Sequence, residues 1–134
     1  MIDDNDRVAL IELGGLRYAL VPREEILREI EHRMGRTSAE LITLLEADAI
    51  SVADLSVMIH IAIRAVHGEV MTERQIGQEI AENGVAGYRE RLKAMLITAR
   101  FCRDLAKMEQ AQMALWRLRR VHAKLRGARG QQGT

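Results

Sequence analysis

The sequence predicts a mainly α protein (α+β), with an N-terminal β-hairpin followed by about five helices, the last long and basic. Three observations predict it. Aromatics make up only 3% of the 134 residues and Pro22 is the single proline, a composition that favours helices over a sandwich or barrel. Apolar residues recur three and four apart, between capping signals, from Glu24 onward, which is helical spacing. Ahead of them, two short apolar runs flank Gly14-Gly15, a hairpin signal. With 48% apolar and 29% charged residues, the chain reads as a soluble globular domain burying roughly two thirds of its unfolded surface.

The hairpin signal runs from Val8 to Val21. Two glycines supply the positive φ angles of a two-residue turn. A turn there pairs Leu13 with Leu16, Glu12 with Arg17, Ile11 with Tyr18 and Ala9 with Leu20. One face then carries Ile11, Leu13, Leu16, Tyr18 and Leu20, while Glu12 and Arg17 meet on the other as opposite charges. A lone hairpin is marginal in water, so its apolar face should lie against helices or a partner's strands.

Pro22 marks a helix start, with Glu24 and Glu25 suited to the positive first turn. Ile26, Leu27, Ile30 and Met34 form its apolar face, and Gly35 its stop. Thr37 and Glu40 match a capping box ahead of Leu41, Ile42, Leu44 and Leu45. Ser51 then caps the most apolar helix, residues 51–67, where Val52, Leu55, Ile59, Ala62, Ile63 and Val66 share a face that Val57, Met58 and Ile61 widen. A helix apolar over so much of its circumference has to be wrapped by others, so it is expected to be the core helix. Thr72 and Gln75 form a second capping box for a helix that Asn83-Gly84 ends. From about Ala86 a long pattern follows, with Tyr88, Leu92, Met95, Leu96, Ala99 and Cys102 on one face. Its later stripe is thinner: Met108, Ala111, Leu115, Leu118 and Leu125, with Arg and Lys between.

Charge is divided along the chain. From residue 100 onward nine Lys and Arg face two acids, a balance of +7; before it eleven face seventeen, a balance of −6. The division suggests a C-terminal segment that meets something acidic. The expected organisation is a hairpin-plus-helical domain over residues 1–102, a basic amphipathic helix over 103–126 and a disordered tail over 127–134. The longest apolar run falls short of the roughly 18 residues that span a bilayer. The opening MIDDNDR is the reverse of a signal or transit peptide, and the lone Cys102 fits a reducing compartment. A cytoplasmic protein with no membrane partner is expected.

Catalysis finds little support. His60 and His67 lie seven apart, too far for a metal pair on one helix, and His32 and His122 have no evident partners. Cys102 reads as an inert core thiol. Gly77, Gly84 and Gly87 lack the spacing and the leading strand of a phosphate loop, and helix ends account for Asp48 and Asp54. No catalytic residue, metal site or cofactor is expected. The basic segment has three readings: a solvated face, a surface for a partner helix or the acidic body, or a phosphate-binding face using Arg117, Arg119, Arg120, Lys124, Arg126 and Arg129. Against the last, Trp116 is the only aromatic there to stack on bases.

Taken in order, VALIELGGLRYALVP, EEILREIEHRMG, TSAELITLLEADAISVADLSVMIHIAIRAV, MTERQIGQEIAENG and GYRERLKAMLITARF resemble the tail assembly chaperones of small phages and gene transfer agents. The likeness covers residues 8–101 and rests on order and texture, not on an invariant motif. It implies a non-enzymatic protein of the bacterial host cytoplasm, prone to homo-oligomerise. Such a protein holds the tape measure protein soluble while tail tube protein subunits are recruited. Leu16, Tyr18, Leu115, Leu118 and Leu125 are the candidate partner-binding residues. A small helical nucleic-acid-binding protein, acting through the basic extension, is the alternative.

Overall fold

The computed structural model describes residues 9–132, with side chains as far as Leu125. The MIDDNDR stretch and Val8 lie outside the described residues. The element order is a two-stranded antiparallel hairpin followed by five helices, the last long.

Strands β1 (Ala9–Leu13) and β2 (Leu16–Leu20) pair in the register that the turn dictates, from Leu13 opposite Leu16 to Ala9 opposite Leu20. Gly14 and Gly15 have φ of 58° and 81°, the positive pair of a type I′ turn, which L-residues with a Cβ resist. Ile11, Leu13, Tyr18 and Leu20 are buried. Leu16 shares their side of the ribbon yet is 63% exposed beside the turn. The apolar face, expected to lie against helices or a partner's strands, is thus buried inside the fold, apart from that one residue.

Helix α1 (Glu24–Met34) buries Ile26, Leu27 and Ile30, opens with Glu24 and Glu25, and ends at Gly35, φ 64°. Helix α2 (Ser38–Glu46) carries the expected capping box: the Glu40 N–H donates to Thr37 Oγ1 at 3.2 Å and the Thr37 N–H to Glu40 Oε1 at 3.5 Å. Helix α3 (Val52–His67) begins where the Asp54 N–H donates to Ser51 Oγ, and buries Leu55, Ser56, Met58, Ile59, Ile61, Ala62 and Ile63. It packs against α1, α4 and β2, the enclosed position its wide apolar surface demands. Helix α4 (Glu73–Asn83) has the Thr72/Gln75 box and stops at Gly84, φ 92°. Gly77 lets it approach α3 closely, since a Cβ there would stand 3.1 Å from Ser56 Oγ.

Helix α5 (Val85–Gln132) opens with buried Tyr88, Leu92, Met95, Leu96 and Ala99. Two expectations are corrected here. Cys102 is exposed, not a core thiol, because the buried stripe ends at Ala99. The helix also continues to Gln132, past the glycine at which a disordered tail was expected to begin. Backbone contacts divide the chain into Met1–Phe101 and Cys102–Thr134, and each unit is described by itself. Every member of the buried cluster, from Ile11 to Ala99, belongs to the first.

Candidate interaction surfaces

No Pro or Gly falls between Tyr88 and Arg126, and the intervening Ala, Leu, Arg, Lys, Gln and Met are strong helix formers. Propensity therefore carries the helix through the second unit. At 100° per residue, Asp104, Met108, Ala111, Leu115, Leu118, His122 and Leu125 fall within an arc of about 100°. Met108, Leu115, Leu118 and Leu125 stand between 52% and 58% exposed. Complete burial of such a side chain stabilises by roughly 1.5–3 kcal/mol. Covering the half that each still exposes amounts to several kcal/mol for the four together.

The opposite face is cationic. Arg117, Arg120 and Lys124 fall within about 60° of one another there and are exposed. Arg119 flanks the apolar stripe instead. The Arg120 guanidinium lies 4.9 Å from the centre of the Trp116 ring, a cation–π contact that covers part of that exposed indole. Arg126 and Arg129 have side chains outside the described residues.

The first unit contributes a cleft of about 640 Å³ along the outer edge of β1, against the end of α4 and the start of α5. Leu10, Glu12, Arg17, Glu79, Tyr88 and Arg91 are among its lining residues. In a two-residue hairpin the residues flanking the turn exchange hydrogen bonds, so at alternate positions the backbone groups point outward. Glu12 is one such residue. Its carbonyl accepts from the Tyr88 hydroxyl at 2.8 Å, and Asn83 Nδ2 donates to that same oxygen of Tyr88 at 2.9 Å. On the far edge the Ala19 N–H donates to His67 Nε2 at 3.2 Å. The Tyr18 ring meets that imidazole edge-on, with centroids 5.3 Å apart. The cleft escaped sequence reasoning because its walls come from residues 10–17, 79–84 and 87–91, and nothing in their spacing announces that they meet.

The sequence-predicted residues are therefore scattered. Leu115, Leu118 and Leu125 share one exposed stripe. Leu16 stands alone at the hairpin turn. Tyr18, at 9% exposure, lies in the core and packs on His67, not on an open partner face. His60 is half-buried, with Nε2 at 3.2 Å from Glu69 and Nδ1 at 3.7 Å from Glu73, so its partners come from the next loop and helix. Asp48 pairs with Arg89 in place of a second acid. Among the described residues no group of three His, Cys, Asp or Glu is placed to hold a metal ion. None of the described helices is long and apolar enough to cross a membrane. No protein-family model, curated protein or solved structure matches the chain.

Proposed function

We propose that this protein is a non-enzymatic assembly chaperone of the phage-tail kind, which binds helical segments of a tape measure protein and helps recruit tail tube subunits. The observation that carries the reading is the exposed apolar stripe of α5. A helix that presents Met108, Leu115, Leu118 and Leu125, spaced seven, three and seven apart, outside the buried cluster offers a row of apolar anchors on one face, as docking amphipathic helices do. Burying that stripe against an apolar helical client removes water from both, and the gain is modest enough for the client to be released. The resemblance of residues 8–101 to tail assembly chaperones supplies the class of client.

The test is co-expression with a tape measure protein from the same genome. The expected result is a recoverable complex and a soluble client, both lost in Leu115→Asp/Leu118→Asp while the domain still melts cooperatively. An insoluble client with the unaltered chain would reject the reading. The cationic face of Arg117, Arg120 and Lys124 favours one alternative, phosphate-directed binding of nucleic acid. That reading requires affinity that falls steeply with salt and disappears when the three are changed to Gln.

A further inference from the structure

The stripe on α5 has a feature that a general apolar docking face does not need. From Asp104 to Leu125 its members are spaced 4, 3, 4, 3, 4, 3: Asp104, Met108, Ala111, Leu115, Leu118, His122, Leu125. This is an uninterrupted heptad seam, with polar residues at two of its seven positions, one acidic and one an imidazole. All seven are exposed, so nothing among the described residues covers the seam. Closing a seam over an unpaired carboxylate is costly, and polar seam residues accordingly dictate which partner and register are accepted.

We infer that the seam closes on a second copy of this chain, in an antiparallel pair centred near Met113. In that register Asp104 lies opposite the partner's His122, Met108 opposite the partner's Leu118, and Ala111 opposite the partner's Leu115. The dyad repeats each contact. Both polar positions are then matched, twice. A parallel in-register pair would set Asp104 against its own copy and His122 against its own. Sliding the antiparallel pair by one heptad places Asp104 opposite Leu115, or His122 opposite Ala111. The flanks agree with the chosen register: Lys107 borders the partner's Val121 and Leu105 borders the partner's Arg119, so no like charges meet. Ala111 and Ala114 near the centre permit close approach of the two backbones. The inference rests on the reading of the stripe as a helix-docking face, with a second copy and a client as alternating occupants of it, and its test contains no client, so the two fail separately.

The experiment uses the full chain and its single cysteine. Cys102 is exposed and lies on the side of α5 away from the seam, so a spin label there leaves the seam intact. Sedimentation velocity should show a concentration-dependent monomer–dimer equilibrium. Pulsed dipolar spectroscopy should place the two labels roughly 40 Å apart, from a rise of about 1.5 Å per residue along the axis and outward-facing labels on helices about 8–10 Å apart. A parallel pair would give about 25 Å, the distance across two helices with outward-facing labels, and would overturn the inference, as would a monomer at 100 µM or so. His122→Asp should raise the dimer Kd at least tenfold by setting carboxylate against carboxylate. Adding Asp104→Lys to it should restore association, because Lys then meets Asp at both sites. A Kd indifferent to His122→Asp, or a double variant no better than the single, would reject the register. Circular dichroism on each variant separates lost pairing from lost folding.

Discussion

At the scale of single residues, the fold depends on a few close approaches. Gly77 is the clearest, because α4 reaches α3 over Ser56, whose hydroxyl is already committed to the Val52 carbonyl at 2.6 Å. Gly77→Val adds a Cβ at a distance of 3.1 Å from that oxygen and two methyls beyond it. Overpacking of this kind costs about 1–3 kcal/mol. Urea denaturation should show the loss, and Ser56→Ala should recover part of it by removing the obstructing atom. Tyr88 makes a different contribution. Its hydroxyl serves the Glu12 carbonyl and receives the Asn83 amide, so Tyr88→Phe should lower stability by about 1 kcal/mol, with a larger loss if the Glu12 carbonyl finds no water. Equal stability of the two proteins in urea would mean that the bond adds nothing over hydration.

At the scale of elements, legibility followed the reach of the forces. Turn chemistry and caps are decided by neighbours, so the Gly14-Gly15 register, both capping boxes and the stops at Gly35 and Gly84 were readable from sequence alone. Thr72→Ala should cost about 1 kcal/mol, since Thr72 Oγ1 accepts from the Gln75 N–H at 3.2 Å; a thermal melt unchanged from the parent would mean that the cap is replaced by water without loss. The core helix was legible too, because only enclosure accommodates apolar residues around most of a circumference. What could not be read was the end of enclosure. Cys102 continues the spacing of Leu92, Met95 and Ala99, and periodicity carries no information on where the neighbouring helices stop. Tyr18 failed for the converse reason. An apolar strand face is the same pattern whether it packs on its own helices or on a partner.

At the scale of the whole molecule, the buried core and the exposed apolar stripe of α5 occupy different stretches of chain. The buried cluster closes at Ala99, so truncation after Phe101 should leave the unfolding free energy of the first unit within about 0.5 kcal/mol, the range of substitutions remote from packed sites. The measurement is chemical denaturation of the truncated and full chains at low concentration. A collapse of cooperativity on truncation would place later residues in the core. The full chain, if it pairs through α5, should also melt at a temperature that rises with protein concentration, by mass action, and the truncated one should not.

The two outer edges of the hairpin have a consequence of their own. A two-stranded ribbon ordinarily offers both margins to strands of other molecules, the route by which soluble chains recruit one another into fibrils. Here the Tyr88 hydroxyl occupies a carbonyl on one margin and the His67 ring an amide on the other. Strand addition would have to displace side chains anchored on helices before it gained its first hydrogen bond. The one sheet among the described residues is thus guarded at both margins against becoming a seed for other chains.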